Sequence, residues 1–424
     1  MARKPVIFVP GFPASELRHK TSGATVFPPS LATLLNPGKK AALIQSLITV
    51  PGNLTAGPPI GDVLGIAKQA QSLYDLLGGK FGYDTSEFSS EFAAIGWDWR
   101  QSIDNVAVML SIADAVIRLS AGGRKLVAII HSTGGLVFRA FLAARPDLVS
   151  RFEQVIAFGV PWGGTLEALH AMTVGQSEGF LFAKITAQEG ATIVSHAQAA
   201  YDLLPPDVLA NLSWIPADSA HDYMRQLAST AHAPFPQNFN ELPLTNVCGW
   251  GLATWTSAAW THSKDAGDGT VSINSSSWIR GANARTMFLP IGAYAAANIP
   301  YAHSRIWDSP PVLQLLYEVL NDTARTPFLC AAADGDDYID YNSDVDVRLS
   351  AVGPAGGALP GCAVTVDVSG KKTPVGFNPE GRGAFILKRA GIQHNVGNDI
   401  YRFTVTFRWS GGGPPTRAVL IRSV

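Results

Sequence analysis

Ser132 is the residue whose type and position could begin a chemical reaction. It follows the apolar run 125–130 and precedes the helical pattern 136–144. A serine between a buried strand and a helix lies on a tight turn that lifts its hydroxyl above the sheet. Gly134 matches the second glycine of the G-x-S-x-G nucleophile turn, whereas Ile130 occupies the place of the first. Two interpretations follow, a nucleophile or a serine that caps the helix.

The nucleophile interpretation makes a structural prediction about this turn. A β-branched residue is unusual where most nucleophile turns have glycine. We therefore expect the Ser132 backbone to be strained and the Ile130 side chain to point into the core. A relaxed helix cap at Ser132 would favour the other interpretation.

Asp268 is the predicted carboxylate partner of this serine. α/β-Hydrolases present the nucleophile, the carboxylate and the histidine in that order along the chain. Asp268 lies between two glycines in the loop 266–271, and these glycines allow a sharp turn that presents the carboxylate. An ordinary hairpin turn is the competing interpretation, because Asp-Gly is a common hairpin signal. Asp265 is the alternative carboxylate.

His303 is the predicted general base. It follows the last strand-like stretch of this part of the chain and precedes its last helix, where a loop can bring an imidazole over the serine. This position favours it over His262, which precedes Asp268. The same position favours His303 over His131, which lies inside the serine turn.

Two backbone N–H groups are predicted to stabilise the oxyanion formed in acyl transfer. One such donor normally follows the nucleophile, and the other comes from the loop after an early strand. Thr133 and Phe12 occupy these positions. Loss of one donor typically costs ~3 kcal/mol of transition-state stabilisation, so backbone geometry should matter more here than these side chains.

The elements around these residues alternate between strands and helices. This alternation predicts an α/β-hydrolase with a mostly parallel sheet covered by helices. Residues 10–11, Ser132 and residues 161–162 would then meet at the carboxyl edge of the sheet. The predicted strands are 6–9, 125–130, 155–158, 245–250 and 286–289.

The predicted hydrolase domain is residues 1–323, and two long segments interrupt it. Residues of about 13–92 are predicted to be an insertion with short helices, and residues of about 166–242 a lid over an apolar pocket. Between them, Ser102 is predicted to cap a helix with one apolar face, made of Ile103, Val106, Leu110, Ala113, Val116 and Ile117.

Residues 324–424 are predicted to form a C-terminal antiparallel β-sandwich domain. Polar and apolar residues alternate there between glycine-rich and proline-rich turns. Cys330 and Cys362 lie in this part of the chain, and a disulfide between them is left open. The aspartates between residues 334 and 346 have irregular spacing, so a solvated surface is favoured over a calcium site. The predicted strands are 338–352, 362–368, 384–388, 400–409 and 417–421.

Composition restricts the partners of this chain. Of its 424 residues, 47% are hydrophobic and only 15% charged, which suits a lipid or other ester substrate. The net charge of -1 and the lack of a basic run exclude nucleic acid from the expected partners. Lysines beside an apolar helical face at residues 34–48 leave transient contact with a membrane surface open. No metal or cofactor is expected.

The sequence leaves the cellular compartment undecided. The apolar run near residue 6 is too short for a signal peptide. We therefore expect either a cytoplasmic protein as encoded or the mature form of a secreted one. No apolar stretch approaches the ~20 residues of a membrane-spanning helix.

Six motifs, taken in order, resemble those of the lecithin:cholesterol acyltransferase family, which includes lysosomal phospholipase. The motifs are VPGF at 9–12, WDWR at 97–100, HSTG at 131–134, PWGG at 161–164, GDGTV at 267–271 and AH at 302–303. The resemblance covers about residues 5–320. It implies an α/β-hydrolase that transfers an acyl group from a phospholipid or related ester to water or an alcohol, without a cofactor.

The resemblance also implies roles for individual residues. Ser132, Asp268 and His303 would be the triad, and Phe12 and Thr133 the oxyanion donors. Residues 161–162, Pro161 and Trp162, would belong to the acyl pocket, while Asp98 and Arg100 would support the site structurally. The chain departs from the family pattern at Ile130, in the absence of a cysteine pair from residues 12–92, and in its C-terminal β-domain.

Three functional hypotheses follow. The first is a serine esterase, lipase or phospholipase, or an acyltransferase, that works through an acyl-enzyme on Ser132. The second is a catalytically inactive hydrolase fold that serves as a binding or adhesion module, with Ile130 crowding the turn. The third is another serine hydrolase, such as a thioesterase or amidase, which differs only in its pocket.

Overall fold

A computed structural model describes most of the chain, and contact density divides it into two compact units. The first unit is Met1–Leu244, Trp255–His262 and Trp278–Ala284, and the second is Thr245–Thr254, Ser263–Ser277 and Arg285–Val424. The described residues are 3–63, 67–68, 70–86, 89–175, 185–210, 242–250, 252–257, 261–279, 284–291, 303–321, 328–333, 345–352, 363–368, 371–376, 382–387, 400–408 and 416–423.

A parallel sheet forms the centre of the first unit. The strands up to residue 158 are β1 (Val6–Val9), β2 (Ser15–His19), β3 (Thr25–Phe27), β4 (Leu54–Pro59), β5 (Asp62–Val63), β6 (Ala67–Lys68), β7 (Phe92–Ala94), β8 (Leu126–His131) and β9 (Phe152–Phe158). Within this unit the sheet order is β9-β8-β1-β7, and all three pairings are parallel. Strands β1 and β8 are buried along their whole length, which explains their continuous apolar sequences.

Helices pack against this sheet. The α-helices up to residue 210 are α1 (Leu31–Leu35), α2 (Pro37–Ile48), α3 (Ala70–Asp75), α4 (Val106–Leu119), α5 (Thr133–Ala144), α6 (Leu166–Thr173), α7 (Ala187–Ser195), α8 (Gln198–Asp202) and α9 (Pro206–Ala210). Helix α4 contacts β1 and β7, and α5 contacts β1 and β8. The helices on a parallel sheet confirm the predicted α/β class.

Short helical turns connect several of these elements. A π-helical turn spans Leu76–Lys80, and 3-10 turns span Ala121–Gly123 and Pro146–Arg151.

The predicted insertion contains more strand than its sequence indicates. Strand β2 pairs with both β3 and β4 in an antiparallel sheet, beside the helices α1 and α2. The sequence of β4 is LTAGPP, and glycine and proline are depleted in strands. Composition alone therefore indicated a loop where a strand forms.

The prediction for α4 is wrong in its start and in half of its buried face, because Ile103, Ala113 and Val116 are buried whereas Val106, Leu110 and Ile117 are exposed. The helix begins at Val106 after the cap Asn105, and the Ser102 hydroxyl instead donates to Asp202 at 2.9 Å. Val106 and Leu110 are 70% and 63% exposed. The helix is apolar on nearly all sides, so hydrophobic periodicity does not single out the face that packs. Its buried residues are Val108, Met109, Ile112, Ala113, Ala115, Val116 and Leu119.

The second unit contains most of the later elements. The elements from residue 244 to residue 321 are β10 (Leu244–Trp250), β11 (Leu252–Ser257), β12 (Thr261–Gly267), α10 (Ile273–Ser276), β13 (Ala284–Pro290), a 3-10 helix (His303–Asp308) and α11 (Pro310–Asn321). Of these, β10, β12 and β13 lie mostly in the second unit, β11 is divided between the two, and the three helices lie wholly in the second. Pro310 begins α11, as the sequence predicts, because proline is favoured at the first helical position.

Antiparallel strands follow α11. They are β14 (Phe328–Ala333), β15 (Val345–Val352), β16 (Ala363–Val368), β17 (Lys371–Val375), β18 (Arg382–Leu387), β19 (Ile400–Arg408) and β20 (Thr416–Ser423). They form two sheets, β14-β15-β18 and β17-β16-β19-β20. The five predicted strands overlap β15, β16, β18, β19 and β20. The packing of the two sheets as a sandwich stays a prediction.

Several predictions fall outside the described residues. The predicted domain boundary after residue 323 lies within 322–327, and the acidic stretch lies largely within 334–344. Residues 176–184 and 211–241 of the predicted lid are also outside, as is Cys362, so the pairing of Cys330 with Cys362 stays open. In the described part of the chain, no helix is long and apolar enough to cross a membrane.

Candidate active site

The predicted site residues are divided between the two units. Phe12, Ser132, Thr133, Pro161 and Trp162 belong to the first unit, and Asp268 and His303 belong to the second. In the first group, Ser132 and Thr133 form the turn between β8 and α5, Phe12 follows β1, and Pro161 and Trp162 follow β9. The second group joins the loop after β12 to the start of the 3-10 helix at residue 303.

Ser132 has a strained backbone. Its φ and ψ are 52° and −133°, and it is the one non-glycine residue with positive φ in the described ranges. The Ser132 N–H donates to the Phe158 carbonyl at 2.9 Å, while the hydroxyl makes no capping hydrogen bond to α5. The interpretation as an ordinary helix cap is therefore wrong, and the predicted strain is confirmed. Such a conformation costs about 1–3 kcal/mol and persists where the surrounding structure enforces it.

The turn accepts Ile130 because close approach occurs at two glycines instead. The Ile130 side chain is fully buried in the hydrophobic core, as predicted. A Cβ on Gly134 would lie 2.6 Å from the Pro10 carbonyl oxygen, and a Cβ on Gly11 would lie 2.6 Å from the Ser132 Cβ. Gly11 and Gly134 therefore provide the space that a nucleophile turn usually obtains from its first glycine.

The loop after β1 brings Phe12 to the same region of the first unit as Ser132. Its preceding residue, Gly11, packs on Ser132, and the Phe12 ring packs edge-to-face on Trp99 with centroids 5.3 Å apart. Within the described part of the chain, no backbone carbonyl accepts from the N–H of Phe12 or of Thr133. Both N–H groups are thus free of backbone partners, while their role as oxyanion donors stays a prediction.

The WDWR motif holds this loop. The Trp97 indole N–H donates to the Pro10 carbonyl at 3.0 Å, and the Trp97 backbone N–H donates to Ser15 Oγ at 3.1 Å. The Trp99 indole N–H donates to the Ser15 carbonyl at 3.2 Å. Sequence reasoning assigned no role to either tryptophan. Their roles could have been suspected because two tryptophans lie in an apolar stretch, and a buried indole N–H needs a hydrogen-bond partner.

Arg100 and Asp98 form a buried bidentate ion pair. Arg100 Nε and Nη2 donate to the two Asp98 carboxylate oxygens at 2.9 and 2.7 Å, and Arg100 is 1% exposed. Arg100 Nη1 also donates to the carbonyls of Ser46 and Thr49 at the end of α2. Cations at helix C-termini stabilise the unpaired carbonyls there. These contacts hold the end of α2, while the support of the site by Asp98 and Arg100 stays a prediction.

In the second unit, Asp268 contacts His303. His303 Nδ1 lies 2.6 Å from Asp268 Oδ2, and Asp268 is 1% exposed. Asp268 Oδ1 accepts from the backbone N–H groups of Thr270 and Val271 at 3.0 and 2.8 Å. One carboxylate oxygen is therefore held by the backbone and the other by the imidazole. This geometry fixes the ring orientation and places the proton of a neutral imidazole on Nδ1.

The Asp268 loop is a tight turn that also presents the carboxylate, so the two interpretations of Asp-Gly coexist. Asp268 N–H donates to the Val271 carbonyl at 3.2 Å. Gly269 has φ 94°, and a Cβ on Gly267 would lie 2.2 Å from the Val271 carbonyl oxygen. Thr254 Oγ1 accepts from the Gly269 N–H at 3.0 Å. A single threonine in a strand carries no sequence signal, so this support was missed.

Cys248 lies in the same unit but is a poor nucleophile. Its side chain is fully buried, and burial above all raises the pKa of the thiol to about 12, with the charge of Asp268 acting in the same direction. The thiolate is the reactive form of cysteine, and a pKa this high leaves almost none at neutral pH.

Pro161 and Trp162 follow β9 at the carboxyl edge of the first unit's sheet. The Gly164 N–H donates to the Pro161 carbonyl at 3.0 Å, and Gly164 has φ 85°. Trp162 is fully buried in the core. Their role in a substrate pocket stays a prediction.

Comparison with known proteins identifies one family. The family model described as lecithin:cholesterol acyltransferase matches residues 67–291, which is just over half of the 424 residues. No curated protein matches the chain in sequence.

Solved structures give weaker likenesses. The Tle4–Tli4 complex has 15% identity, a TM-score of 0.45 and coverage of 75% of this chain and 98% of that one. Phospholipase PlaB from Legionella pneumophila has 12% identity, a TM-score of 0.37 and coverage of 99% and 90%. Mature lipase BlEst2 from Bacillus licheniformis has 14% identity, a TM-score of 0.31 and coverage of 68% and 84%. All three TM-scores lie below 0.5, so no conclusion rests on these likenesses.

Proposed function

This chain belongs to the lecithin:cholesterol acyltransferase family, and we propose that it is a serine hydrolase that acts on carboxylic esters of lipids through an acyl-enzyme on Ser132. Membership supports an enzyme that hydrolyses lipid esters or transfers their acyl groups. The observation that carries the proposal is the strained backbone of Ser132, whose hydroxyl caps no helix. Strained residues of this kind cluster at active sites.

Acylation is the first proposed step. Ser132 Oγ attacks the ester carbonyl carbon while its proton passes to Nε2 of His303. The tetrahedral intermediate collapses, the bond from carbon to the leaving alcohol oxygen breaks, and that oxygen takes the proton from the imidazolium. The free alcohol departs and the acyl group remains on Ser132. The 2.6 Å contact between Asp268 and His303 supports this role, because the carboxylate stabilises the imidazolium.

Deacylation completes the cycle. Water or an alcohol attacks the acyl carbon, and His303 accepts the proton of the attacking hydroxyl and returns it to Ser132 Oγ. Water yields a carboxylic acid, whereas an alcohol yields a new ester. The identity of the acceptor depends on water exclusion and acceptor binding at the site.

Phe12 and Thr133 are the proposed oxyanion donors. The Thr133 N–H follows Ser132 in the chain, and the Phe12 N–H follows Gly11, which packs on Ser132. Donors fixed before the reaction stabilise charge that develops in the transition state without further reorganisation. Pro161 and Trp162 are proposed for the acyl pocket from the family resemblance alone.

Transient contact with a membrane surface is part of the proposal. Leu31 and Leu35 on α1 are 51% and 61% exposed, and the exposed Lys39 follows on α2. Apolar side chains beside a cation suit the interface of an anionic bilayer. Sedimentation with anionic and with neutral phospholipid vesicles tests this contact. Leu35→Ser should reduce binding, and equal sedimentation of this variant would contradict the contact.

Active-site labelling separates an enzyme from an inactive binding module. A fluorophosphonate should label the native protein, and Ser132→Ala should abolish both labelling and ester turnover. Ser195→Ala is a matched control, because Ser195 is also 8% exposed but lies at the end of α7. Turnover that survives in Ser132→Ala would overturn the proposed nucleophile. Absence of labelling in the native protein would favour the binding module.

Product analysis defines the substrate and the acceptor. The protein is incubated with phospholipid, triglyceride, short esters and thioesters, with and without a lipophilic alcohol. Free fatty acid alone identifies a hydrolase, and a new ester identifies an acyltransferase. Turnover of a thioester in preference to every oxygen ester would favour the thioesterase alternative.

A further inference from the structure

We propose that Trp97 is a positioning residue that fixes the loop carrying Gly11 and Phe12 against Ser132. This inference rests on the proposed function, because it assigns Trp97 to the support of the same oxyanion site. Trp97 does not touch the reacting atoms. It acts through the hydrogen bond from its indole N–H to the Pro10 carbonyl.

Two contacts restrain the Pro10 carbonyl. The Trp97 indole donates to it at 3.0 Å, and Trp97 is 1% exposed. The same oxygen lies 2.6 Å from the position that a Cβ on Gly134 would take, so it packs directly on the first turn of α5. Among the described residues, the Trp97 indole is the one hydrogen-bond donor to the Pro10 carbonyl, so its loss would leave a buried acceptor unsatisfied.

The orientation of the Pro10 carbonyl is transmitted to the nucleophile. The carbonyl and the Gly11 N–H share one planar peptide group, so they can rotate only together. Gly11 packs on the Ser132 Cβ, and the next peptide group carries the Phe12 N–H. A rotation at Pro10 would therefore move both the Gly11 contact and the proposed oxyanion donor.

Trp97 also holds the far end of the same loop. Its backbone N–H donates to Ser15 Oγ at 3.1 Å, and within the loop the Ala14 N–H donates to the Gly11 carbonyl at 3.0 Å. Ser15 is fully buried. One residue thus restrains the loop at Pro10 through its side chain and at Ser15 through its backbone.

Trp99 provides a matched control. It has the same residue type, the same motif and the same 1% exposure, but its indole N–H donates to the Ser15 carbonyl instead. Trp97→Phe and Trp99→Phe each remove one buried indole donor. Only the first removes the restraint on Pro10.

Kinetics with a chromogenic acyl ester test the proposal. Trp97→Phe should lower kcat about ten- to hundred-fold with little change in KM, because small misplacements of reacting groups cost up to about a hundred-fold in rate. The inhibition constant of an aliphatic trifluoromethyl ketone, which forms a tetrahedral oxyanion on serine, should rise in the same proportion as kcat/KM falls. Trp99→Phe should give a smaller change in both. Equal effects of the two variants would overturn the proposal.

Amide hydrogen exchange gives a readout that does not depend on activity. Trp97→Phe should accelerate exchange in the segment 11–12, next to Pro10, more than Trp99→Phe does, because the Trp99 indole donates to Ser15 instead. Unchanged exchange in this segment would overturn the proposal. If wild-type protein turns over no ester and resists fluorophosphonate, the proposed function fails, while the exchange comparison still decides whether Trp97 fixes the loop. If Trp97→Phe does not fold, benzothienylalanine at position 97 keeps both rings and replaces the N–H donor with sulfur, which cannot donate a hydrogen bond.

Discussion

Gly11 packs directly on Ser132, and a Cβ at Gly11 would lie 2.6 Å from the Ser132 Cβ. Gly11→Ala should therefore displace either the loop or the serine and lower kcat/KM about a hundred-fold. Gly38→Ala is the control, because the nearest atom to its added Cβ would be 3.5 Å away, an ordinary contact. Ester turnover of the two variants checks the prediction. If Gly11→Ala is as active as Gly38→Ala, the close contact between Gly11 and Ser132 does not affect catalysis.

Asp268→Asn should abolish most activity without unfolding the protein. The amide cannot stabilise the imidazolium of His303 and favours the wrong tautomer, which in a serine protease triad costs about 10⁴-fold in kcat. Asp147→Asn is the control, because that carboxylate is exposed and forms a surface ion pair with Arg145. Steady-state kinetics measure the effect. A loss below about ten-fold would argue against Asp268 as the triad carboxylate.

Stability should depend on pH through Asp202. Burial raises its pKa from 3.8 to about 6, with Asp104 acting in the same direction, against hydrogen bonds from Ser102, Ile103 and Gln198. The folded state therefore binds this proton more tightly than the unfolded state. The contribution of Asp202 to the free energy of unfolding should fall by about 3 kcal/mol in all as pH rises from below 4 to well above 6.

Asp202→Asn provides the test of that pH dependence. Urea unfolding of both proteins at pH 4, 5, 6 and 7 gives the difference in unfolding free energy at each pH. This difference should change across the pH window, because only the wild type has the carboxyl group. A difference that is the same at all four pH values would contradict the assignment.

Arg100→Met should destabilise the protein by about 3–5 kcal/mol, because it leaves the Asp98 carboxylate buried without its partner. It also removes the donors at the end of α2. Arg145→Met is the matched control, since Arg145 makes a similar bidentate pair with an exposed carboxylate, and such pairs contribute about 0–1 kcal/mol. Urea unfolding distinguishes the two. Similar losses in both variants would mean that burial of the first pair has no energetic consequence.

The sequence predicts the central elements well because their signals are local. The buried strands β1 and β8 have uninterrupted apolar runs, and Pro310 begins its helix. The spacing around Ser132 also predicts a strained turn, which the backbone has. Strand β4 was missed because its glycine and prolines are tolerated by pairing with β2, a contact distant in sequence.

The supports of the candidate site could not be predicted in the same way. Ile130 was expected to crowd the turn, but Gly11 approaches Ser132 from the loop after β1, more than a hundred residues earlier in the chain. The bond from Trp97 to Pro10 likewise joins two segments that no local pattern links. Such contacts arise from tertiary packing, which hydrophobic periodicity and propensity do not encode.

Detection of the acyl-enzyme tests most directly whether Ser132 is the nucleophile. Protein mixed with a chromogenic long-chain ester is quenched in acid after a short incubation, digested, and analysed by mass spectrometry for an acylated peptide. We expect the acyl mass on Ser132 in the native protein and none in Ser132→Ala. The acylated peptide should be more abundant in Asp268→Asn if deacylation slows more than acylation. An acyl adduct on another residue, or full turnover by Ser132→Ala, would contradict this assignment of the nucleophile.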